Sequence, residues 1–122
     1  MDKIKKLRKI GGSVYLLISH ATAQEAGVSN GSCVGFFLES QRELLIVKQS
    51  SVLDARAAGI RTKLVCKRGD SLHVLIPADY LAGMRAGDKT AVTVYVDDKQ
   101  RIVVTALPDD WEVRLQAITR GS

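Results

Sequence analysis

The sequence predicts a mainly β protein with short helices, folded as one compact domain from two interleaved halves. The first observation is an internal repeat. Lys9-Ile10-Gly11-Gly12-Ser13-Val14-Tyr15-Leu16-Leu17-Ile18-Ser19 returns as Lys67-Arg68-Gly69-Asp70-Ser71-Leu72-His73-Val74-Leu75-Ile76-Pro77, at a constant offset of 58 residues. The second is that each copy runs the same course. A basic arm tightens at a glycine-serine turn and enters an alternating apolar strand. A short helical segment and a glycine turn follow, then a β-rich stretch, Cys33–Lys48 or Thr90–Leu107. The third is size. A unit of about 45 residues lies near the lower limit for a core of its own, and the sequence shows no disulfide framework or metal cluster to staple one. The two copies therefore bury their apolar faces against each other, as a pseudo-symmetric pair rather than a solenoid.

The bulk numbers agree. The chain has 122 residues, 46% hydrophobic and 25% charged, which suits one soluble globular domain. No apolar run approaches the roughly 20 residues needed to span a bilayer. Met1-Asp2-Lys3-Ile4-Lys5-Lys6 carries charge without an apolar stretch behind it, which argues against a secretory leader. Cys33 and Cys66 are too few for a zinc site without clustered histidines, and no Cys-x-x-Cys is present. A reduced, cytoplasmic setting with no metal or cofactor is the expectation.

Element by element, Ile4 to Ile10 reads as one strand or extended arm, and Gly11-Gly12 permits a sharp turn. Val14, Leu16 and Ile18 mark a short buried or half-buried strand. Ser19 is placed to cap a helix over His20–Ala26, which Gly27 can close in the left-handed region. Pro77 takes the helix-entry position in the second copy, ahead of Ala78–Ala82. Ser32–Leu38 and Glu43–Lys48 form a hairpin around Glu39-Ser40-Gln41-Arg42. Thr90–Val96 and Arg101–Ala106 form another around Asp97-Asp98-Lys99-Gln100. Matching Gly31 with Gly87, 56 residues apart, makes the second copy two residues shorter between helix and glycine turn. The division is therefore 1–49 for the first repeat, 50–60 for a connector, 61–107 for the second repeat and 108–122 for a tail. The closing Gly121-Ser122 has the composition of an expression remnant.

The order strand, Gly-x-Ser turn, strand, Ser- or Pro-led helix, glycine turn, hairpin resembles the AbrB/MazE/SpoVT family of swapped-hairpin DNA-binding domains. The nearest match is Gly69-Asp70-Ser71-Leu72-His73-Val74-Leu75-Ile76-Pro77 with Ala86-Gly87-Asp88 after it. The first copy, Gly11-Gly12-Ser13 to Ile18-Ser19, is similar but lacks the proline. Together they cover most of residues 3 to 107. The resemblance implies an interlaced β-barrel made from two copies, here an AbrB-like pseudo-dimer within one chain. It also implies that basic first strands and Gly-x-Ser loops grip DNA. Carried over, this points to Lys5, Lys6, Arg8, Lys9, Gly12 and Ser13, and to Lys63, Lys67, Arg68, Asp70 and Ser71. Leu17 and Leu75 stand where family members often place an arginine.

The charges point the same way without the family. Lys3, Lys5, Lys6, Arg8 and Lys9 face a single acid, Asp2, in the first ten residues. Arg61, Lys63, Lys67 and Arg68 precede any acid in the second arm. Much of the net charge of +5 thus lies in two arms. Such arms on one face attract phosphates and release condensed counterions. Lysine-rich strands also protect sheet edges, but two clusters at matching repeat positions favour double-stranded DNA as the partner. The expected function is that of a transcriptional regulator, as a monomeric pseudo-dimer or a homodimer, with no membrane partner. Tyr15 and His73, at equivalent positions, read as packed or half-exposed.

No nucleophile motif, Gly-rich phosphate loop or metal spacing is present, which argues against an enzyme. Asp97-Asp98 lies in a turn, where Asp is favoured for backbone reasons. The tail supports a rival expectation, an antitoxin or protein-interaction module. Antitoxins that resemble this family carry acidic, aromatic-bearing extensions, and Trp111 and Leu115 are the candidate partner contacts. The plainer reading is that Trp111 folds back and seals an apolar end.

Overall fold

The computed structural model describes residues 3–120, with the side chains of Lys3 and of 118–120 excepted; Asp2 and Gly121-Ser122 lie outside the described residues. In chain order the elements are β1 (Lys3–Lys6), β2 (Arg8–Ile10), β3 (Ser13–Ile18), α1 (His20–Ala26), β4 (Cys33–Leu38) and β5 (Glu43–Lys48). Then come α2 (Val52–Ala57), β6 (Arg61–Leu64), β7 (Cys66–Arg68), β8 (Ser71–Leu75), α3 (Ala78–Met84), β9 (Ala91–Val96), β10 (Ile102–Ala106) and α4 (Trp111–Arg120).

The strands form two antiparallel sheets, one of six in the order β1-β9-β10-β5-β4-β6 and one of four in the order β2-β3-β8-β7. Exchanging the two halves turns each order into its own reverse, so a pseudo-two-fold axis passes through both sheets. The register locates it. Leu45 faces Val103 and Leu16 faces Val74, and each pair is separated by the repeat offset. The halves are exchanged at the edges, because β1 pairs with β9 of the second half and β6 with β4 of the first. One continuous core fills the space between the sheets. It includes Leu16, Ile18 and Val74 from the smaller sheet, Ile76 just beyond β8, and Val34, Phe36, Leu44, Ile46, Val92, Val94, Ile102 and Val104 from the larger. Ala23 and Ala26 of α1 and Leu81 and Met84 of α3 complete it.

The expected barrel is not closed. The reason lies in the arms, which are not single strands but break at Leu7 and Val65, 0% and 1% exposed. There each arm leaves the larger sheet and joins the smaller. The break is held by backbone bonds: Leu7 N–H donates to Thr90 O at 3.0 Å and Lys89 N–H to Leu7 O at 2.9 Å. Val65 N–H donates to Ser32 O at 2.8 Å and Gly31 N–H to Val65 O at 2.7 Å. Split between two sheets, the arms leave open edges at β1, β6, β2 and β7.

Those same bonds correct the reading of the glycine turns. Gly31 corresponds to Lys89, not to Gly87, and the second copy is not shortened. Both residues adopt positive φ, 89° and 67°, as do Gly27 and its equivalent Arg85 at 70° and 56°. The helix caps follow the sequence: Ser19 Oγ accepts from Thr22 N–H at 3.2 Å and Gly27 closes α1. The connector holds α2, capped by Ser51 Oγ accepting from Asp54 N–H at 3.0 Å. The tail forms the helix α4. Among the described residues no helix is long and apolar enough to cross a membrane.

Candidate nucleic-acid interface

The four-stranded sheet separates its residues by strict alternation. Val14, Leu16, Ile18, Leu72, Val74 and Ile76 turn to the core. Tyr15, Leu17, His73 and Leu75 turn outward. Residues opposite one another in an antiparallel pair share a face, so Arg8, opposite Tyr15, and Cys66, opposite His73, are outward as well. Ile10 with Ser13 and Arg68 with Ser71 complete this outer face. None of the four strands contains an acidic residue, while they hold Arg8, Lys9, Lys67 and Arg68. With neighbouring strands about 4.8 Å apart, the sheet is about 14 Å from edge to edge, close to the roughly 12 Å width of a DNA major groove.

The outer face is organised around Tyr15. Arg68 lies over its ring, with the guanidinium carbon 4.9 Å from the centroid, and donates to its hydroxyl at 3.4 Å. His73 meets the same ring edge-on, with centroids 6.4 Å apart. A cation over an aromatic face is attracted by the ring quadrupole, so the contact restricts where the guanidinium sits. Tyr15 and His73, read from the sequence as packed or half-exposed, are half-buried and central to this cluster.

The remaining predicted residues divide by position. Lys9 and Lys67 point to the other side of the sheet, and each lies in an open cleft between a glycine-serine turn and a helix. Lys9, Gly12 and Ser13 line one of about 320 Å³ with Asp88. Lys67 and Asp70 line its two-fold equivalent, of about 440 Å³, with Asn30 and His20. The backbone at both lysines is pinned in the same way, Lys9 N–H donating to Asp88 Oδ1 and Lys67 N–H to Asn30 Oδ1, each at 2.9 Å. Sequence reasoning missed this pair, although Asn30 and Asp88 stand one repeat apart and the offset could have matched them. Lys5 Nζ donates to Leu17 O at 3.3 Å, capping a β3 carbonyl beyond the end of β2. Arg61 is bound to Asp79 of α3 at 3.0 Å. Lys63 lies opposite Val34 on the edge strand β6, and Lys6 is exposed at the end of β1. Lys3 is opposite Val94, and its side chain lies outside the described residues. The arms thus bring Arg8 and Arg68 to one face with Ser13 and Ser71, while Arg61 and Lys63 stay at the larger sheet's side and Lys5 reaches from it to β3.

No protein-family model, curated protein or solved structure matches this chain.

Elsewhere the charge is balanced. At the β9–β10 turn, Asp97 receives the Arg101 Nε at 2.7 Å and the backbone N–H groups of Arg101 and Lys99 at 2.9 and 3.0 Å. Desolvation disfavours the Asp97 carboxylate, but these donors outweigh it and hold its pKa below the ordinary carboxylate value. In the tail, Trp111 is half-buried and lines an apolar cleft with Ile4, Thr93, Leu107, Pro108 and Leu115. Val113 is 67% and Leu115 52% exposed.

Proposed function

We propose that this chain is a double-stranded DNA-binding protein, a transcriptional regulator of AbrB type, which lays the outer face of its four-stranded sheet against a duplex. The observation that carries the reading is that sheet: acid-free, two-fold in layout and bordered by both basic arms. The exchange of β1 and β6 between the halves supports the swapped-hairpin assignment. Arg8, Arg68 and the turns at Gly12-Ser13 and Ser71 are the groups aimed at base edges, whereas lysines of the arms such as Lys6 hold phosphates. With about six phosphates neutralised, log affinity falls against log salt with a slope near −5. Mobility shifts on genomic fragments across a salt series test this, and no binding at low salt would overturn it.

A second reading, a protein-interaction module built on the tail, is favoured by one observation, the exposure of Val113 and Leu115 on α4. Against it, Trp111 is half-buried and shares an apolar cleft with Ile4 and Pro108, the position of a structural element. A pull-down with the intact chain and with the chain ending at Pro108 separates the two.

A further inference from the structure

The two halves of the outer face share a backbone layout but not a chemistry. Across the axis Arg8 corresponds to Cys66, Ile10 to Arg68, and Tyr15 to His73. Only the Ser13/Ser71 and Leu17/Leu75 pairs are identical. The cation over Tyr15 therefore has no two-fold partner: a counterpart would place residue 10 over residue 73, and residue 10 is isoleucine, 38% exposed. Both outward arginines are neighbours of the same ring, Arg8 opposite Tyr15 in register and Arg68 above it.

Proteins that bind as true two-fold dimers present the same side chains twice, and their operators mirror that symmetry. Here the two halves cannot read the same bases. Half of the face offers Arg8, Ile10 and Tyr15, and the other offers Cys66, Arg68 and His73. We infer that the chain binds a non-palindromic duplex site in one fixed orientation, the direction being set by the Arg68–Tyr15–His73 cluster. This rests on the DNA-binding reading above and names the class of sequence that the same face selects.

Selection from randomised DNA duplexes by the intact chain tests it. The enriched sequence is expected to lack dyad symmetry, and replacing one half of it by the inverted repeat of the other should weaken binding at least about tenfold, as mismatched positions do. A chain carrying Cys66→Arg, Arg68→Ile and His73→Tyr together makes the outward strand residues of the second half copy those of the first, without touching the core. That variant should enrich a dyad-symmetric sequence instead, with circular dichroism confirming its fold. A dyad-symmetric site for the unaltered chain, or duplex binding with no sequence preference, would overturn the inference and leave DNA binding intact. Failure to retain any duplex at low salt would overturn both.

Discussion

Arg68 and Arg61 stand one strand apart in the same arm, yet their surroundings assign them different work. Arg68 rests on Tyr15 at the acid-free face, and Arg61 is paired with Asp79 at 3.0 Å. Arg8→Ala and Arg68→Ala should each weaken binding to a selected duplex by about 1–3 kcal/mol and relax the sequence preference at the position each reads. Arg61→Ala should leave both unchanged, as fluorescence anisotropy on the selected duplex and its single-base variants would show. A different single-residue effect belongs to Asp97. Its pKa in the folded chain lies below the unfolded value of about 3.9. A depressed carboxylate contributes stability that is present above the unfolded pKa and lost as pH falls through the folded one. The melting temperature of the unaltered chain should therefore exceed that of Asp97→Asn at neutral pH, and the gap should close as the pH drops below about 4. Melts from acid to neutral pH would check this.

The turn from helix to hairpin is the element at which the two halves solve one problem with different residues. At Gly31 and Lys89 the backbone must take positive φ, where an L side chain costs about 1–2 kcal/mol. Nothing lies within 4 Å of a Cβ built on Gly31, so the cost there is purely conformational. Gly31→Ala should destabilise the chain by about 1 kcal/mol. Lys89→Gly should stabilise it by about 0.5 kcal/mol, since relief of strain is partly offset by the added freedom of the unfolded chain; urea unfolding measures both. At α4, ending the chain at Pro108 removes a half-buried Trp111 and should cost about 1–2 kcal/mol, below the 3–5 kcal/mol of a fully buried one, with duplex affinity unchanged. Hairpins, caps and the alternation of Val14, Leu16 and Ile18 were legible in the sequence because each rests on local chemistry. The Gly31–Lys89 match was not, because lysine gives no sign of a left-handed position. The break at Leu7 was hidden too, since its cause is the bonds to Thr90 and Lys89, more than 80 residues away. So was the division of Arg8 from Lys9, which depends on which face of the smaller sheet meets the core.

As a whole, the molecule places the completing edge strand of each half in the other. Neither half keeps a six-stranded sheet alone, and each would expose the apolar side of its hairpin. Segments 1–60 and 61–122 prepared separately should give the circular dichroism of unfolded chains, and an equimolar mixture should recover the β signal as a one-to-one complex. The repeat offset made this pairing legible in the sequence, but the open edges that replace a barrel depend on where the arms change sheets. The axis pairs carry a further consequence. At the centre of a homodimer a side chain meets its own copy, so its size must suit itself, and any change in volume is made twice at one point. Here Leu16 meets Val74 and Leu45 meets Val103, all four buried. Each pair sets a larger side chain against a smaller one, a fit that identical chains cannot make. Volume can pass from one side of such a pair to the other while their sum, which close packing constrains, stays constant. Joining the halves in one chain thus releases the centre of the fold from self-matching.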